Sequence, residues 1–279
     1  MEKTIIPNVL TISGVDPSSG AGVLADIKAI SALGGYGCGV IAALTAQNTC
    51  AVTGVCPVPA SFVREQLETL FEDVRIDAVK IGMLSDVAVI EEVARALDRY
   101  RPRFVVLDPV MVAKSGDRLL PENGVQALKT KLLPLATVVT PNLPEAAVLA
   151  GEAEITQEGQ MQALADKLLP LMGKDSWLLL KGGHLTGAEV PDLLTNGEVN
   201  VVFKADRIET KNTHGTGCTL SSALATLLPQ CETVPEAVEK AKKYLWEAIS
   251  HSEDLTGGHG PGTVQTLYGV LTPFSWSCS

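Results

Sequence analysis

The chain has 279 residues and a formal net charge of -10, and 46% of its residues are hydrophobic while only 4% are aromatic. The acidic balance excludes a general affinity for nucleic acid or anionic membrane surfaces, because both depend on dense lysine and arginine. The sequence has no signal peptide pattern and no apolar span long enough to cross a bilayer, so it predicts a cytoplasmic protein.

Strand-like apolar runs recur along the chain, each bounded by turn residues. They cover residues 8–13, 38–46, 77–82, 103–108, 136–141 and 176–183. Amphipathic stretches with apolar residues at helical spacing separate most of these runs. Such stretches occupy 22–34, 62–74, 86–100 and 160–172. This alternation predicts an α/β fold with a mostly parallel central sheet that is covered by helices on both faces.

The pattern changes once, around Asn196-Gly197, where two extended runs flank a dipeptide typical of a type I′ hairpin turn. We therefore expect a small antiparallel hairpin at one edge of the sheet. Two helices follow, at 219–228 and 234–252, and then a Gly-rich segment and an irregular tail. No low-complexity linker divides the chain, so the sequence predicts a single domain over 1–279.

Several familiar nucleotide and hydrolase motifs are absent or lack their context. Residues 20–25, GAGVLA, fit the G-x-G-x-x-A fingerprint, but a loop precedes them and no acidic residue follows about 20 positions later to hold a ribose. There is no Walker A loop, no protein-kinase motif set and no G-x-S-x-G elbow. A dinucleotide site, a P-loop and a serine hydrolase are therefore not supported.

Four polar segments lie at the edge of the sheet where the parallel strands are predicted to end. Asp108 ends the run VVLD, Asn142 and Glu145 open a helix after a strand, and Lys181 ends LLLK beside two glycines. Singly, each favours a turn, a helix cap or a loop. Together with the segment 214–223, HGTGCTLSSA, they indicate one ligand site at the rim of the sheet.

The segment GTG before the helix 219–228 predicts an anion site. Gly215, Thr216 and Gly217 expose backbone N–H groups where the helix dipole is positive, which suits a phosphoryl group during transfer. Asp108 and Glu145 supply oxygen ligands for Mg²⁺, partly through water, and Lys181 neutralises phosphate oxygens. Together these residues indicate a phosphoryl-transfer site of a kind that does not use a P-loop.

Cys218 is the cysteine whose surroundings differ from those of the other five, which show neither zinc-site spacing nor the density of a disulfide scaffold. It directly follows the predicted anion site. A helix N-terminus lowers a thiol pKa, so we expect Cys218 to act as proton acceptor for an alcohol. The alternative is a small residue that merely fits the start of the helix.

The motifs LDPVMVAKSGDRLL, TPNLPEA, KGGHL, NTHGTGCTLSSA and GHGP together resemble those of the hydroxymethylpyrimidine/phosphomethylpyrimidine kinases of thiamine biosynthesis, within the ribokinase superfamily. The resemblance extends from about Val9 to Pro261. It implies a three-layer α/β/α ribokinase-like fold, a homodimer, and phosphorylation of 4-amino-5-hydroxymethyl-2-methylpyrimidine and then of its monophosphate by Mg²⁺-ATP.

The resemblance also implies site residues, each carried over by its motif. The residues implied for the pyrimidine pocket are Gly14, Asp26, Gln47, Met83, Val110 and Cys218. Those implied for ATP are Lys181, Asn142 and Thr216. The Gln47 amide has a donor and an acceptor for an aminopyrimidine edge, and Met83 and Val110 offer apolar walls to a flat ring.

Two other functions remain open at this point. A pyridoxal or pyridoxine kinase has the same fold and anion site, and the sequence near Gln47 does not decide which ring is bound. A catalytically silent homologue that binds the pyrimidine is the second alternative. The intact Asp108, Glu145, Lys181 and GTGC segment argues against a pure binder.

Overall fold

The computed structural model describes residues 6–111 and 120–270. Within this part of the chain, nine strands form one sheet in the order β3-β2-β1-β4-β5-β6-β7-β8-β9. The strands are β1 (Asn8–Val15), β2 (Tyr36–Gln47), β3 (Val52–Pro57), β4 (Ala78–Ile81), β5 (Phe104–Leu107), β6 (Val138–Val139), β7 (Trp177–Lys181), β8 (Glu189–Thr195) and β9 (Asn200–Asp206). The α-helices are α1 (Gly22–Ala32), α2 (Ala60–Asp73), α3 (Val87–Tyr100), α4 (Glu122–Ala127), α5 (Leu143–Ala150), α6 (Met161–Leu168), α7 (Thr216–Leu227) and α8 (Val234–Ser250).

The sheet confirms the predicted mostly parallel arrangement. Strands β2, β1, β4, β5, β6 and β7 pair in parallel. The hairpin predicted at Asn196-Gly197 joins β8 to β9 and adds two antiparallel strands beyond β7. Strand β3 adds a second antiparallel edge, on β2, that the sequence pattern did not indicate. Most of β3 is exposed, so it lacks the apolar run by which the other strands were recognised.

The helices form two layers on opposite faces of the sheet, because successive strand residues point to opposite sides. Leu10 belongs to one cluster of buried apolar residues, which includes residues of α2, α3, α5 and α6. Its neighbour Val9 belongs to a second cluster, which includes residues of α1, α7 and α8. The three-layer α/β/α arrangement follows directly from this alternation.

Helix α7 is buried along almost its whole length, from Thr219 to Leu227. It contacts α1, α8 and the sheet strands β1, β4 and β5. A helix that is apolar or small on every side is suited to such a position. The N-terminal turn of α7 faces the rim of the sheet. The helix begins at Thr216, three residues before the predicted start.

Part of the predicted tail is well packed. Val264 and Thr266 are buried, and the Tyr244 hydroxyl donates to the Thr266 carbonyl over 2.6 Å. Residues 271–279 of that tail, and residues 112–119 of the motif LDPVMVAKSGDRLL, lie outside the described residues. The single domain over 1–279 stays a prediction. No helix found in 6–111 or 120–270 combines the length and apolarity needed to cross a membrane.

Candidate active site

A cavity of about 810 Å³ lies at the carboxyl ends of the parallel strands, beside the N-terminus of α7. The position agrees with the general rule that open α/β sheets bind ligands at this edge. Twelve of the thirteen predicted site residues line it. They are Gly14, Gln47, Met83, Asp108, Val110, Asn142, Glu145, Lys181, Gly215, Thr216, Gly217 and Cys218.

The strand order gives the cavity two halves. Gly14, Gln47 and Met83 follow or end β1, β2 and β4 on one side of the sheet. The other half is lined by residues of β8, β9, the chain just after β9, and α8. Its apolar members are Val190, Ala205, Ile208, Leu245, Trp246 and Ile249. The GTG segment lies between the two halves, because α7 runs beneath the centre of the sheet.

Two glycines shape the anion site at the start of α7. Gly215 has φ +80, and a Cβ atom there would lie 1.8 Å from the carbonyl oxygen of Gly20. A Cβ on Gly217 would lie 3.2 Å from Asp108 Oδ2 and 3.5 Å from Lys181 Nζ. The first-turn N–H groups of a helix have no partner within the helix. Thr216 N donates a long hydrogen bond of 3.5 Å to the Thr213 carbonyl, whereas the described residues show no partner for Gly217 N, beside Asp108 and Lys181.

The charged pair is formed by Asp108 and Lys181, which the fold brings together from the ends of β5 and β7. Lys181 Nζ donates to Asp108 Oδ1 over 3.0 Å, and Asp108 is 2% exposed. Thr140 Oγ1 donates a longer hydrogen bond of 3.3 Å to Asp108 Oδ1, whereas Ser221 Oγ lies 3.4 Å from Asp108 Oδ2 and closer, at 2.9 Å, to the Gly217 carbonyl oxygen. Burial opposes the charge on Lys181, but Asp108 and Glu145 raise the pKa of Lys181 above its ordinary value.

Asn142 and Glu145 form a capping box at the start of α5. Glu145 N donates to Asn142 Oδ1 over 2.8 Å, and Asn142 N donates to Glu145 Oε2 over 2.9 Å. Burial raises the Glu145 pKa to about 7, and the nearby Asp108 carboxylate adds to this, whereas Lys181 opposes it. Asn142 and Glu145 therefore cap the helix and also line the cavity. The helix-cap interpretation of this motif does not exclude its interpretation as part of a ligand site.

The Cys218 thiol differs from the sequence expectation. Burial raises the pKa of Cys218 to about 11; the positive charge of Lys80 opposes this effect, and the carboxylates of Asp26 and Asp108 add to it. The expectation of a pKa lowered by the helix N-terminus is therefore wrong. Desolvation and two carboxylates from distant parts of the chain outweigh the helix dipole.

Asp26 is the predicted site residue that does not line the cavity. It is 0% exposed and accepts hydrogen bonds from Lys80 on both carboxylate oxygens, over 2.9 and 2.8 Å. Thr11 Oγ1 donates to Oδ2 over 2.6 Å, and Ser222 Oγ donates to Oδ1 over 2.7 Å. Asp26 is therefore neither a pocket wall nor a surface charge but the centre of a buried polar cluster beneath the site.

Lys80 was missed in the sequence, although it carries a signal. It stands within the short apolar strand β4 and is fully buried, and the adjacent Asp26 raises its pKa despite the cost of burial. A lysine in a buried strand requires an anionic partner. That requirement predicts a partner, but not which carboxylate provides it.

A second pair that the sequence did not reveal joins Asp16 to His214. His214 Nε2 lies 2.8 Å from Asp16 Oδ2, and both residues line the cavity. Burial acts to raise the pKa of Asp16, but hydrogen bonds from His214 and Ser18 hold it below its ordinary value. The only signal in the sequence is that His214 directly precedes the GTG segment.

Comparison with known proteins places these features in context. The family model described as "Phosphomethylpyrimidine kinase" matches residues 16–263. A hydroxymethylpyrimidine/phosphomethylpyrimidine kinase of Salmonella typhimurium is 50% identical over 261 residues, which cover 94% of this chain and 97% of that protein. The corresponding Escherichia coli kinase is 49% identical over the same shares of both chains.

Solved structures give the same picture of the fold. A phosphomethylpyrimidine kinase of Clostridium difficile superimposes with a TM-score of 0.77 at 40% identity, over 87% of this chain and 99% of that one. An ADP complex of Bacillus subtilis pyridoxal kinase gives a TM-score of 0.87 at 33% identity, over 96% of this chain and all of that one. The predicted ribokinase-like fold is confirmed.

Proposed function

The chain belongs to the phosphomethylpyrimidine kinase family, and we propose that it phosphorylates 4-amino-5-hydroxymethyl-2-methylpyrimidine and then its monophosphate, with ATP as donor, in thiamine biosynthesis. The observation that carries this proposal is the GTG turn, whose backbone adjoins the buried Asp108–Lys181 pair between two halves of one cavity. A phosphoryl group needs preorganised donors and a cation at this point of transfer.

The half of the cavity near β8, β9 and α8 is suited to the nucleotide. Apolar side chains such as Val190 and Leu245 offer contact area to a flat base, whereas Lys181, Thr216 and Asn142 lie toward the phosphates. Lys181 N also donates to the Pro141 carbonyl over 2.9 Å, which fixes the end of β7 against the start of α5. We infer that these three residues hold the ATP phosphates.

The opposite half is suited to the aminopyrimidine acceptor. Gly14 lies so close to Met83 that a Cβ atom would be 2.5 Å from the methionine methyl group, so a larger side chain at position 14 would displace Met83 from the cavity wall. Thr45 Oγ1 lies 3.1 Å from Gln47 Oε1 and 2.9 Å from the Val15 carbonyl oxygen. We infer that Gln47 recognises the polar edge of the ring, while Met83 and Val110 contact its faces.

We infer a role for Mg²⁺ through Asp108 and Glu145. Among the described residues no three metal-binding side chains form a group. Two neighbouring carboxylates beside a phosphate site fit a hydrated Mg²⁺, which keeps several waters and takes its other ligands from the nucleotide. The ion would neutralise charge that develops on the transferred group.

Cys218 is proposed as the group that takes the proton of the acceptor. In the unliganded protein it is a neutral thiol at pH 7, since its pKa is about 11. Lys80 opposes that rise in pKa, and further positive charge near the thiol would favour the thiolate.

The proposed function is tested by measuring ADP release with three separate acceptors: hydroxymethylpyrimidine, its monophosphate and pyridoxal. We expect turnover with both pyrimidines. Pyridoxal is included because a pyridoxal kinase shares this fold at a TM-score of 0.87 and 33% identity. Turnover with pyridoxal alone would replace the proposal by that second activity, and no turnover with any acceptor would favour a binding protein without catalysis.

The role of Cys218 is tested by the variant Cys218→Ala. We expect kcat to fall about 100-fold or more, because that is the usual contribution of general acid–base catalysis. ATP affinity should stay close to wild type, since the thiol is assigned to proton transfer. Cys50→Ala is the matched control, because Cys50 is exposed and does not line the cavity. Unchanged turnover in Cys218→Ala would remove the thiol from the mechanism.

We also propose that the enzyme is a homodimer. The hairpin β2–β3 forms one edge of the sheet and exposes apolar side chains on both faces, Leu44 on one and Val55 on the other, each 49% exposed. Exposed apolar residues on an edge hairpin are typical of surfaces that a second molecule covers.

A further inference from the structure

The Asp16–His214 pair joins two loops on the acceptor side of the GTG turn. Asp16 follows β1, and its Oδ2 accepts from His214 Nε2 over 2.8 Å and from Ala21 N over 3.1 Å. Its Oδ1 accepts from Ser18 N and Ser18 Oγ over 2.8 and 2.7 Å. An ionised carboxylate only accepts hydrogen bonds, so the His214 proton must lie on Nε2.

The second ring nitrogen of His214 is left for a ligand. Within the described residues, the structure shows a hydrogen bond for Nε2 and none for Nδ1. His214 lines the cavity, and its side chain is 13% exposed. In its doubly protonated form the ring donates from both nitrogens, so Nδ1 can bind an anion while Nε2 keeps its hydrogen bond to Asp16.

His214 adjoins the place where an acceptor phosphate must lie. It directly precedes Gly215, whose Cα approaches the Gly20 carbonyl closely from the same loop that carries Asp16. An acceptor oxygen must come within about 3–3.5 Å of the transferred phosphorus, so a phosphate on the acceptor adjoins the GTG turn. On the other side of the turn lies the Asp108–Lys181 pair.

In the described part of the chain, the acceptor half of the cavity has no lysine or arginine side chain. Among the described residues that line the cavity, the lysine and arginine side chains are Lys181, Arg207 and Lys242, from or next to β7, β9 and α8. Lys181 and Lys242 are paired with aspartates, and Arg207 donates to backbone carbonyls at 183, 185 and 187. The free alcohol needs no cation here, but its monophosphate does.

We propose that His214, oriented by Asp16, binds the phosphate group of the monophosphate acceptor through Nδ1 and thereby sets the enzyme's affinity for that acceptor relative to the free alcohol. This inference rests on the proposed two-step function. His214 is a specificity-determining residue in this scheme, and Asp16 is the positioning residue that holds its ring.

Two substitutions separate the binding role of His214 from a structural one. The amide nitrogen of His214→Gln reaches the place of Nε2, so it retains the bond to Asp16 and removes the donor at Nδ1. His214→Asn places a neutral amide near Nδ1 and removes the bond to Asp16. His251→Gln is the matched control, because His251 is exposed and does not line the cavity.

Steady-state kinetics with both pyrimidine acceptors give the test. For His214→Gln we expect KM for the monophosphate to rise roughly ten- to hundredfold, as for a lost hydrogen bond to a charged group, while KM for the alcohol changes less than about threefold. His214→Asn should retain more affinity for the monophosphate than His214→Gln does. A thermal unfolding curve for each variant checks that it is folded.

Other outcomes overturn the proposal. If His214→Gln behaves as wild type while His214→Asn impairs both acceptors, the histidine only holds the Asp16 loop. An equal rise in KM for both acceptors in His214→Gln also contradicts the proposal. These results are distinct from a failure of the proposed function, in which the wild-type enzyme itself turns over neither pyrimidine.

Discussion

Glu145 is a carboxylic acid whose environment keeps a proton on it near neutral pH. It is 8% exposed, lies near Asp108 and caps α5 together with Asn142. Burial and the neighbouring carboxylate favour its neutral form, and Lys181 compensates only in part. A bound cation would reverse this balance, because a carboxylate close to positive charge is ionised. The protonation state of Glu145 therefore depends on the charge that is bound at the proposed phosphate site.

The variant Glu145→Gln should remove a pH-dependent loss of stability in the ligand-free protein. The Glu145 pKa of about 7 in the folded protein lies above its ordinary value of 4.5. The stabilisation that Glu145 contributes to the free energy of unfolding is therefore fully present below pH 4.5. As pH rises from 4.5 through 7 the unfolded state releases the proton first, and stability falls. We expect wild type to lose about 1–3 kcal/mol relative to Glu145→Gln between pH 4.5 and 8.

Urea unfolding at several pH values measures this difference. Gln also forms capping boxes, so the helix start is preserved in the variant. Glu154→Gln serves as control, because Glu154 is exposed and its replacement should leave the pH dependence unchanged. Parallel pH curves for wild type and Glu145→Gln would contradict the raised pKa. The same variant should lower activity, since the proposed Mg²⁺ site loses a carboxylate.

At the scale of elements, the buried cluster around Asp26 joins four parts of the fold. Asp26 lies on α1, Lys80 on β4, Thr11 on β1 and Ser222 on α7. Ser222 is one helical turn beyond Cys218, so the cluster fixes the rotation of α7 about its axis. The position of Cys218 and the GTG donors at the cavity thus depends on hydrogen bonds that no ligand touches.

Replacing one member of the buried pair should destabilise the protein strongly. Asp26→Asn leaves the Lys80 ammonium without its counter-charge at 0% exposure, and such changes cost about 3–5 kcal/mol. We expect that loss in the free energy of unfolding, measured in urea. Glu68→Gln is the matched control, because Glu68 forms a half-exposed pair with Arg99 that is worth less than about 1 kcal/mol. Equal losses in both variants would contradict the assigned role of the buried pair.

Most elements were predictable because each strand and helix carries its own periodicity. Strand β7 and helix α3 have the apolar patterns from which they were predicted. Strand β3 was missed because it is held by pairing with β2 and is largely exposed. Strand β6 spans only Val138–Val139, shorter than the predicted run, although the backbones of Thr137 and Thr140 still bond to the neighbouring strands. Tertiary pairing, rather than local sequence, fixed these boundaries.

At the scale of the whole molecule, the exposed β2–β3 hairpin predicts association of two chains. Light scattering after gel filtration should give twice the 29.4 kDa chain mass. The double variant Leu44→Asp and Val55→Asp should shift the mass to that of one chain, because charge on both apolar positions opposes burial. Val199→Asp, on the far edge of the sheet and 44% exposed, should leave the mass unchanged. A monomeric wild type would contradict the prediction.

The sequence by itself determined the class of fold, the edge of the sheet that carries the site, and most of the residues in it. It could do so because parallel strands end at one edge, so polar residues that directly follow apolar runs must meet there. Asp108, Glu145 and Lys181 satisfied that condition, Gly215–Cys218 were recognised as a turn before a helix, and all of them line one cavity.

Only the tertiary structure determined the pKa values of these groups and the hydrogen-bonded pairs that surround them. Asp26 and Lys80 are 54 residues apart, and Asp16 and His214 are 198 residues apart, yet each pair lies within hydrogen-bond distance. The Cys218 pKa of about 11 arises from burial and from carboxylates on other elements. Desolvation and Coulomb interactions depend on distance in space, and local sequence does not contain that distance.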